Sequence, residues 1–315
     1  MGASKIPQEN IDNILDRILP SISHHIITQS AASTKRPFIL ALTGLQGSGK
    51  STWTDALANT LRNKYNYNTI NISLDDLYLD HDDLVTLRET NPGNKLLQAR
   101  GQPGTHDTAL SVSFFEGLRN SGETPIPAFD KSLFNGEGGR VPSHQWKSVA
   151  TSGIDIVIFE GWCVGFQPLT EEQVRLRWSG GCGAGDGGNE ASGATYPTNT
   201  LKDHAIEHLL GVNRSLQYYC ETFMGSRHFD YLVHLDTDDL INVYEWRIQQ
   251  EHALRQIKGG GMTDKQVVEF VKGYMPAYEL YLDQLRGGVF VCEKFKGQLR
   301  VVLDQRRQIV AIDTV

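Results

Sequence analysis

The chain has 315 residues, of which 39% are hydrophobic and 21% are charged. It therefore carries enough apolar material for a folded core and too little charge for a disordered chain. Its 30 Lys and Arg residues against 37 Asp and Glu residues give a net charge of −7. With no basic excess to neutralise phosphates, extensive binding to nucleic acid or to an anionic membrane is not expected.

The four cysteines lie far apart and form no C-x-x-C pair, which argues against a zinc site or a disulfide framework and fits a reducing compartment. They are Cys163, Cys182, Cys220 and Cys292. No apolar run approaches the ~20 residues that a membrane-spanning helix needs. Glu9, Asp12 and Asp16 make the beginning of the chain unlike a signal or transit peptide. We therefore expect a cytoplasmic protein, with the nucleus as a second compartment, that is a monomer or a small homo-oligomer.

Residues 1–34 are predicted to form a helical extension packed on a main domain of residues 35–315. Apolar residues recur there at the spacing of one helical face: Ile11, Ile14, Leu15, Ile18 and Leu19. Pro20 should kink this helix or restart it. Residues 179–200 are rich in Gly, Ser and Asn without periodicity, and are interpreted as a flexible surface insertion.

Five apolar segments are predicted to be strands of one sheet, and a sixth is a candidate partner for the last of them. The five are residues 37–43, 68–73, 154–159, 231–235 and 299–303, and the candidate partner is 308–312. The third segment is apolar almost throughout, as expected for a parallel strand covered on both faces. Helical patterns between the segments indicate an α/β fold with a doubly wound, mainly parallel five-stranded sheet flanked by helices.

One of these helical patterns begins at Thr263, where the T-x-x-Q spacing has the form of a capping box. An apolar and aromatic stripe follows, is interrupted by Pro276 and then resumes. Its members are Val267, Phe270, Val271, Tyr274, Tyr278, Tyr281, Leu282 and Leu285. We interpret the aromatic residues as core and not as a cofactor-binding surface.

A G-x-x-x-x-G-K-S pattern stands between the first predicted strand and a predicted helix, which is the context of a P-loop. Its glycines let backbone N–H groups turn toward an anion, and the start of the helix presents the positive end of its dipole. Lys50 can bridge the β- and γ-phosphates, and the Ser51 hydroxyl can ligate Mg²⁺. The predicted ATP site consists of Gly44, Leu45, Gln46, Gly47, Ser48, Gly49, Lys50, Ser51 and Thr52.

The remaining motifs narrow the class of P-loop protein. Neither Asn-Lys pair continues as the N-K-x-D motif of a GTPase. The third predicted strand ends in Glu160, where a motor or transporter ATPase normally has the Asp of a Walker B motif. At the carboxyl edge of a parallel sheet Glu160 would lie beside the P-loop and could hold the metal, directly or through water. The alternative is a solvated Glu at a strand end.

The second predicted strand ends in Ser73-Leu74-Asp75-Asp76. A carboxylate there would face the γ-phosphate from the side of the acceptor, where it could orient a hydroxyl group and take its proton. Asp75 is therefore the predicted general base. The alternative is that Asp75 or Asp76 caps the following helix, and one could cap while the other catalyses.

Together these motifs resemble the superfamily of phosphoribulokinase, uridine kinase and pantothenate kinase. Further stretches are similar to the D-glycerate 3-kinase group, including its fungal ATP-dependent kinase members. They are residues 100–107, 127–132, 160–166, 246–251 and 274–278. The resemblance covers roughly residues 35–315 and implies a P-loop kinase fold, and the insertion at 179–200 is the departure from it.

An anionic acceptor needs a cation for its carboxylate and polar groups for its hydroxyls. In the Gly- and Pro-rich loop after residue 99, Arg100, His106 and Asp107 are candidate acceptor-binding residues. His106 could instead be structural, and Asp107 could be an ordinary N-cap. Lys131 and Arg140 flank an Asn-Gly pair that predicts a hairpin, and both could point into the cleft.

A helix after the fourth strand carries Arg247, Arg255 and Lys258 and leads to three consecutive glycines at 259–261. The superfamily resemblance implies a segment that closes over the nucleotide, with Arg247 stabilising the transferring phosphoryl group. The alternative is a local ion pair with Glu251, one helical turn further on.

The sequence therefore predicts a kinase that uses Mg-ATP and a small-molecule acceptor, most simply D-glycerate. Lys50, Asp75 and Arg247 are its predicted catalytic residues, and Ser51 and Glu160 its metal ligands. Uridine- or pantothenate-like acceptors remain alternatives. So does an ATP-responsive binding protein without significant turnover, which would need no base at Asp75.

Overall fold

The computed structural model describes residues 6–30, 35–120, 122–180, 196–290 and 295–315. Most of the predicted flexible insertion at 179–200, namely residues 181–195, lies outside the described residues. The same is true of Cys182 and Cys292, while Cys163 and Cys220 are free thiols.

The described helices and strands alternate along the chain. The helices are α1 (Gln8–Ser30), α2 (Lys50–Asn63), α3 (His81–Thr90), α4 (Thr108–Gly117), α5 (Glu171–Ser179), α6 (Ile206–Tyr219), α7 (Ile241–Lys258), α8 (Asp264–Lys272) and α9 (Met275–Arg286). The strands are β1 (Phe38–Gly44), β2 (Thr69–Ser73), β3 (Glu123–Ile126), β4 (Phe129–Asp130), β5 (Gly139–Arg140), β6 (Lys147–Ala150), β7 (Ile156–Gly161), β8 (Tyr231–Asp236), β9 (Gly297–Leu303) and β10 (Ile309–Thr314). None of these helices is long and apolar enough to cross a bilayer.

The main sheet has the strand order β10-β9-β8-β1-β7-β2. All neighbours within it are parallel except β10, which pairs antiparallel with β9. The five predicted strands are the five parallel ones, so the predicted α/β fold is confirmed. The predicted count of five strands was one too low, because the candidate segment 308–312 forms the edge strand β10.

The register of the sheet brings three strand ends to one level. The central strand β1 is buried at every position, and its Thr43 pairs with Gly161 of β7. On the other side of β7, Ser73 of β2 pairs with Glu160. The loops after β1, β2 and β7 therefore leave the sheet side by side, where ligands bind in parallel α/β sheets.

Helix α1 covers part of the sheet through the apolar face seen in the sequence. Ile14, Leu15 and Ile18 are completely buried, and α1 contacts both α2 and β1. The helix runs on through Pro20 to Ser30, so it does not restart there.

Helices α8 and α9 contain the predicted stripe. The capping box is confirmed, because Gln266 N–H donates to the Thr263 hydroxyl and the Gln266 side chain accepts from the Thr263 N–H. Pro276 lies in the first turn of α9, after the break that separates the helices. Tyr274, Tyr278 and Tyr281 are buried, as expected for core residues.

Two small antiparallel sheets project from the main one. Strands β4 and β5 form the hairpin that the Asn-Gly pair predicts, and Asn135 adopts a positive φ of 55° in its loop. Strands β3 and β6 pair over four residues each and were not predicted. Their sequences are short and largely polar, so they carry no periodic signal.

Candidate active site

The P-loop follows β1 and turns into α2 at Lys50. Gly47 and Gly49 have φ angles of 79° and 91°, a region that L-residues with side chains rarely adopt. A Cβ atom on Gly47 would lie 2.8 Å from the Cβ of Trp246 in α7. Lys50 Nζ donates to the carbonyl oxygens of Gly44 and Leu45 at 2.9 and 3.1 Å. The loop therefore has the geometry of a phosphate-binding P-loop and packs directly against α7.

Two residues distant in sequence hold the backbone of this loop. The Tyr278 hydroxyl accepts a hydrogen bond from the Gln46 N–H at 3.1 Å. Arg307, in the turn between β9 and β10, donates to the carbonyl oxygen of Gly47 at 2.7 Å and to that of Trp246 at 2.8 Å. Neither contact was predicted, because nothing local to residues 278 or 307 points to the P-loop.

The two carboxylates after β2 have different partners. Asp76 accepts from the N–H of Ser73 at 3.1 Å and completes a capping box around a single 3-10 turn. Asp75 takes no part in capping through its side chain, which accepts from the Tyr78 hydroxyl at 2.8 Å and pairs with the Lys131 ammonium. The structure therefore leaves the carboxylate of Asp75 available for chemistry, whereas that of Asp76 is used locally.

The ionisation of Asp75 depends on these two partners. Burial acts to raise its pKa, but the charge of Lys131 and the hydrogen bonds from Lys131 and Tyr78 outweigh burial, so the pKa lies below its usual value. A hydrogen-bonded, ion-paired carboxylate is stabilised in its charged form. Asp75 is therefore ionised at neutral pH and able to accept a hydrogen bond.

Lys50 and Glu160 influence each other across the same cleft. Burial lowers the pKa of Lys50, against the opposing charges of Glu160 and Asp75. Burial likewise raises the pKa of Glu160, against the charge of Lys50. These mutual effects agree with the register of the sheet, which brings the ends of β1, β2 and β7 to one level.

The residues present fit a magnesium ion. Ser51 follows Lys50 in the first turn of α2, and Glu160 is the last residue but one of β7, beside β1. The described residues contain no cluster of three or more His, Cys, Asp or Glu side chains that could hold a metal alone. Mg²⁺ needs none, because it is usually held by one or two protein oxygens together with substrate phosphates and water.

Asp107 both caps a helix and pairs with a cation. One of its oxygens accepts from Leu110 N–H at 2.9 Å as the N-cap of α4, and the other accepts from Arg140 at 2.7 Å. Arg140 also donates to the carbonyl oxygen of Tyr78 at 3.0 Å. Its Nε is buried and lacks a hydrogen-bond partner within the described residues. Asp107 and Arg140 therefore stabilise the backbone at Tyr78. Direct contact of either side chain with an acceptor stays a prediction.

Arg100 and His106 lie on the same side of the cleft. Arg100 donates to the carbonyl oxygens of Gly136 and Glu137 at 2.8 and 2.5 Å, which ties it to the β4–β5 hairpin. His106 is 4% exposed and stacks on Tyr78 with 4.4 Å between ring centroids. Burial lowers the pKa of His106 to about 3, so its imidazole is neutral at physiological pH.

Arg247 lies on α7, which is the helix predicted to follow the fourth strand. A guanidinium nitrogen of Arg247 is 3.0 Å from a carboxylate oxygen of Glu251. The guanidinium carbon, Cζ, lies 5.2 Å from the ring centroid of Phe270. The contact with Glu251 is the local ion pair that the sequence offered as the alternative. A role of Arg247 in a closed site stays a prediction.

Comparisons with known proteins agree with this geometry. "Uncharacterized kinase mug58" of Schizosaccharomyces pombe is 37% identical over 309 residues, which cover 96% of this chain and 99% of that protein. "Probable ATP-dependent kinase TDA10" of Saccharomyces cerevisiae is 33% identical over 313 residues and covers 96% of each chain. The solved D-glycerate 3-kinase from Cryptococcus neoformans is 31% identical with a TM-score of 0.79, covering 97% of this chain and 99% of that one. No protein-family model matches the chain.

The resemblance noted in the sequence is thereby confirmed, since relatives above 30% identity match almost the whole length of both chains. The chain belongs to the D-glycerate 3-kinase group of P-loop kinases, together with its fungal ATP-dependent members, and is an ATP-dependent kinase.

Proposed function

We propose that the protein transfers the γ-phosphate of ATP to a hydroxyl group of a small polar acid, with D-glycerate as the leading acceptor. The observation that carries this proposal is the carboxylate of Asp75. It leaves the end of β2 without a capping role, is kept ionised by Lys131 and Tyr78, and acts on the charge of Lys50. A group with these properties suits the base of phosphoryl transfer to an alcohol.

On the nucleotide side, the P-loop N–H groups and Lys50 hold the phosphates of ATP. Arg307 and Tyr278 keep the loop in shape, because their contacts fix the carbonyl oxygen of Gly47 and the N–H of Gln46. In phosphoryl transfer the protein contributes mainly positioning and electrostatic stabilisation, since little covalent chemistry is needed from it. A P-loop held in one conformation by such contacts is therefore expected.

The metal ligands in this proposal are Ser51 and Glu160. Mg²⁺ held by them would supply positive charge to the phosphate groups of ATP. Burial raises the pKa of the Glu160 carboxyl, and the positive charge of Lys50 opposes that effect.

On the acceptor side, Asp75 orients the attacking hydroxyl group and receives its proton. Lys131 already contacts the Asp75 carboxylate, so its ammonium is within reach of an anionic acceptor bound there. Arg100 adds a second cation to this side of the cleft. One cation beside the base and a second on the same side of the cleft support an acceptor that carries a carboxylate, such as glycerate, over an uncharged nucleoside.

Arg247 is proposed to stabilise charge on the transferring phosphoryl group when α7 closes. To do so it would exchange its contact with Glu251 for one with phosphate oxygen. Packing of Trp246 against Gly47 places this part of α7 next to the P-loop, which supports the assignment. The three glycines at 259–261 offer a flexible connection to α8.

The second candidate is an ATP-responsive protein that binds the nucleotide without useful turnover. Such a protein would need the P-loop and the metal ligands but no ionised carboxylate on the acceptor side. The two functions therefore predict different results for replacement of Asp75.

The experiment incubates the full chain with Mg-ATP and a panel of hydroxy acids, nucleosides and sugars, and follows ADP release. D-glycerate should stimulate ADP release, and Asp75→Asn should abolish the stimulation by several orders of magnitude while ATP affinity is retained. Asp76→Asn is the matched control, because it changes the neighbouring carboxylate in the same turn and should remain active. If no compound of the panel stimulates ADP release, the proposed transfer to a small polar acid is refuted. An active Asp75→Asn variant would refute the role of Asp75 as the base.

A further inference from the structure

Tyr219 makes an unusual set of contacts at the acceptor side of the cleft. It is the last residue of α6 and is 1% exposed. Its hydroxyl oxygen accepts from the N–H of Gly104 at 2.8 Å and from the N–H of His106 at 3.0 Å. The same oxygen lies 3.1 Å from Nδ1 of the His106 ring. One hydroxyl group therefore makes three polar contacts with the loop that carries His106.

The hydrogen-bonding capacity of a hydroxyl group fixes the direction of the third contact. A tyrosine hydroxyl can accept at its lone pairs and has a single proton to donate. Because the two backbone N–H groups can only donate, they occupy the accepting positions of Tyr219, and its proton points to Nδ1 of His106. Nδ1 is thus an acceptor, and a neutral imidazole with an accepting Nδ1 carries its proton on Nε2.

The Nε2–H of His106 has no partner among the residues that the structure describes. Nε2 is buried and makes no hydrogen bond with any described residue, although buried polar groups are nearly always paired. On an imidazole ring Nε2 points away from Nδ1, and therefore away from Tyr219. The ring stacks on Tyr78, whose hydroxyl donates to Asp75, and the Asp75 charge acts on the imidazole. His106 is therefore separated from the predicted base by one side chain, that of Tyr78.

We propose that Tyr219 is a positioning residue that fixes the Nε2–H tautomer of His106, so that this N–H donates to an oxygen atom of the phosphate acceptor. The inference rests on the proposed function and specifies the chemistry of its acceptor site. The acceptor must present a hydroxyl or carboxylate oxygen to His106. A compound with an ammonium group at that position is rejected, because two donors would then face each other.

The first test reads the tautomer directly. The full chain is labelled with ¹⁵N in its histidine rings, and His106 is assigned by comparison with His106→Gln. The wild-type spectrum should show His106 protonated on Nε2, and D-glycerate should shift that resonance. In Tyr219→Phe the ring should lose this preference, with a measurable share of the Nδ1–H form. A wild-type ring protonated on Nδ1 would overturn the inference, whether or not the variant folds.

The second test separates positioning from simple support of the fold. Tyr219→Phe should raise KM for D-glycerate by about tenfold, the size of one lost hydrogen bond, while KM for ATP is unchanged. The amide of a glutamine can replace the donor of Nε2, whereas that of an asparagine replaces Nδ1. His106→Gln should therefore keep a lower KM for D-glycerate than His106→Asn. Equal values for the two variants, or an unchanged KM in Tyr219→Phe, would contradict the inference.

The outcome also distinguishes this inference from the proposed function. If wild-type protein releases no ADP with any acceptor, the proposed function fails and the inference falls with it. If D-glycerate is phosphorylated but leaves the Nε2 resonance unmoved, the proposed function stands and only the inference is refuted.

Discussion

Replacing Arg307 with methionine should loosen the P-loop although residue 307 is 260 positions away from it. The guanidinium donates to the carbonyl oxygens of Gly47 and Trp246 and to the side chain of Gln249 at 2.7, 2.8 and 2.8 Å. It thereby connects the phosphate cradle with α7. Methionine keeps most of the aliphatic length beside Trp246 but removes every one of these donors.

The size of the effect follows from the two backbone contacts. A hydrogen bond that involves a charged group contributes about 1.5–3 kcal/mol, and partial exposure of Arg307 puts its contacts at the lower end, so we expect a loss of about 2–4 kcal/mol of unfolding free energy. For a chain of this size, about 2 °C per kcal/mol converts that loss to a fall in Tm of about 4–8 °C. Because Gly47 lies in the nucleotide cradle, KM for ATP should also rise several-fold.

The assay combines thermal unfolding with initial rates at varied ATP. Arg306→Met is the matched control, since Arg306 is the neighbouring residue in the same turn and its exposed side chain makes no hydrogen bond with any described residue. The control should match the wild type in both measurements. If Arg307→Met and Arg306→Met have the same Tm and the same KM for ATP, the claim that Arg307 supports the P-loop is wrong.

Three further predictions follow from contacts and pKa shifts. Gly47→Ala should be less stable in urea unfolding than Gly49→Ala by about 1–3 kcal/mol. Both positions have a positive φ, but only a Cβ at 47 meets α7, 2.8 Å from the Cβ of Trp246. Equal stabilities would refute the contact. Lys131→Met should raise the pKa of Asp75 and move the acid limb of the pH profile of kcat/KM to higher pH, whereas an unmoved limb would exclude Asp75 as the base. The pKa of buried Asp236 is held at about 2, against the effect of burial, by the charge of His234 and by its contacts with Arg286 and Arg300. The ionised carboxylate therefore stabilises the folded protein above the unfolded pKa of 3.8, and this stabilisation is lost as pH falls toward 2. The loss, about 2 kcal/mol, should be absent from the acid unfolding curve of Asp236→Asn. If the wild type and Asp236→Asn lose the same stability in acid, the pairing is weak.

The sequence was informative wherever the signal is local. The P-loop pattern identifies the residues of the loop directly. The strand before it and the helix after it lie where the pattern predicts them. Asp75 and Glu160 could be picked out because each ends a predicted parallel strand, and the carboxyl ends of parallel strands meet at one edge. The Asn-Gly pair likewise predicted the β4–β5 hairpin.

The sequence was uninformative where a role depends on a partner distant along the chain. Tyr219 contacts the N–H of His106 across 113 positions, and Arg307 contacts Gly47 across 260. Neither residue stands in a pattern that distinguishes it from an ordinary Tyr or Arg. Asp107 shows a different difficulty, because one of its oxygens caps α4, which the sequence offered as an alternative, while the other accepts from Arg140, which the sequence did not predict.

The charges of the described site bear on the proposed role of Arg247. The two cations Lys50 and Lys131 act on the two carboxylates Glu160 and Asp75, so these four charges balance one another before any nucleotide enters. Mg-ATP brings a net negative charge, and an anionic acceptor adds more. In a buried cleft such an excess is costly unless further cations approach. Arg247, paired with Glu251 on a helix that already touches the P-loop, can supply that charge only by leaving its partner, so the proposed role of Arg247 depends on its release from Glu251.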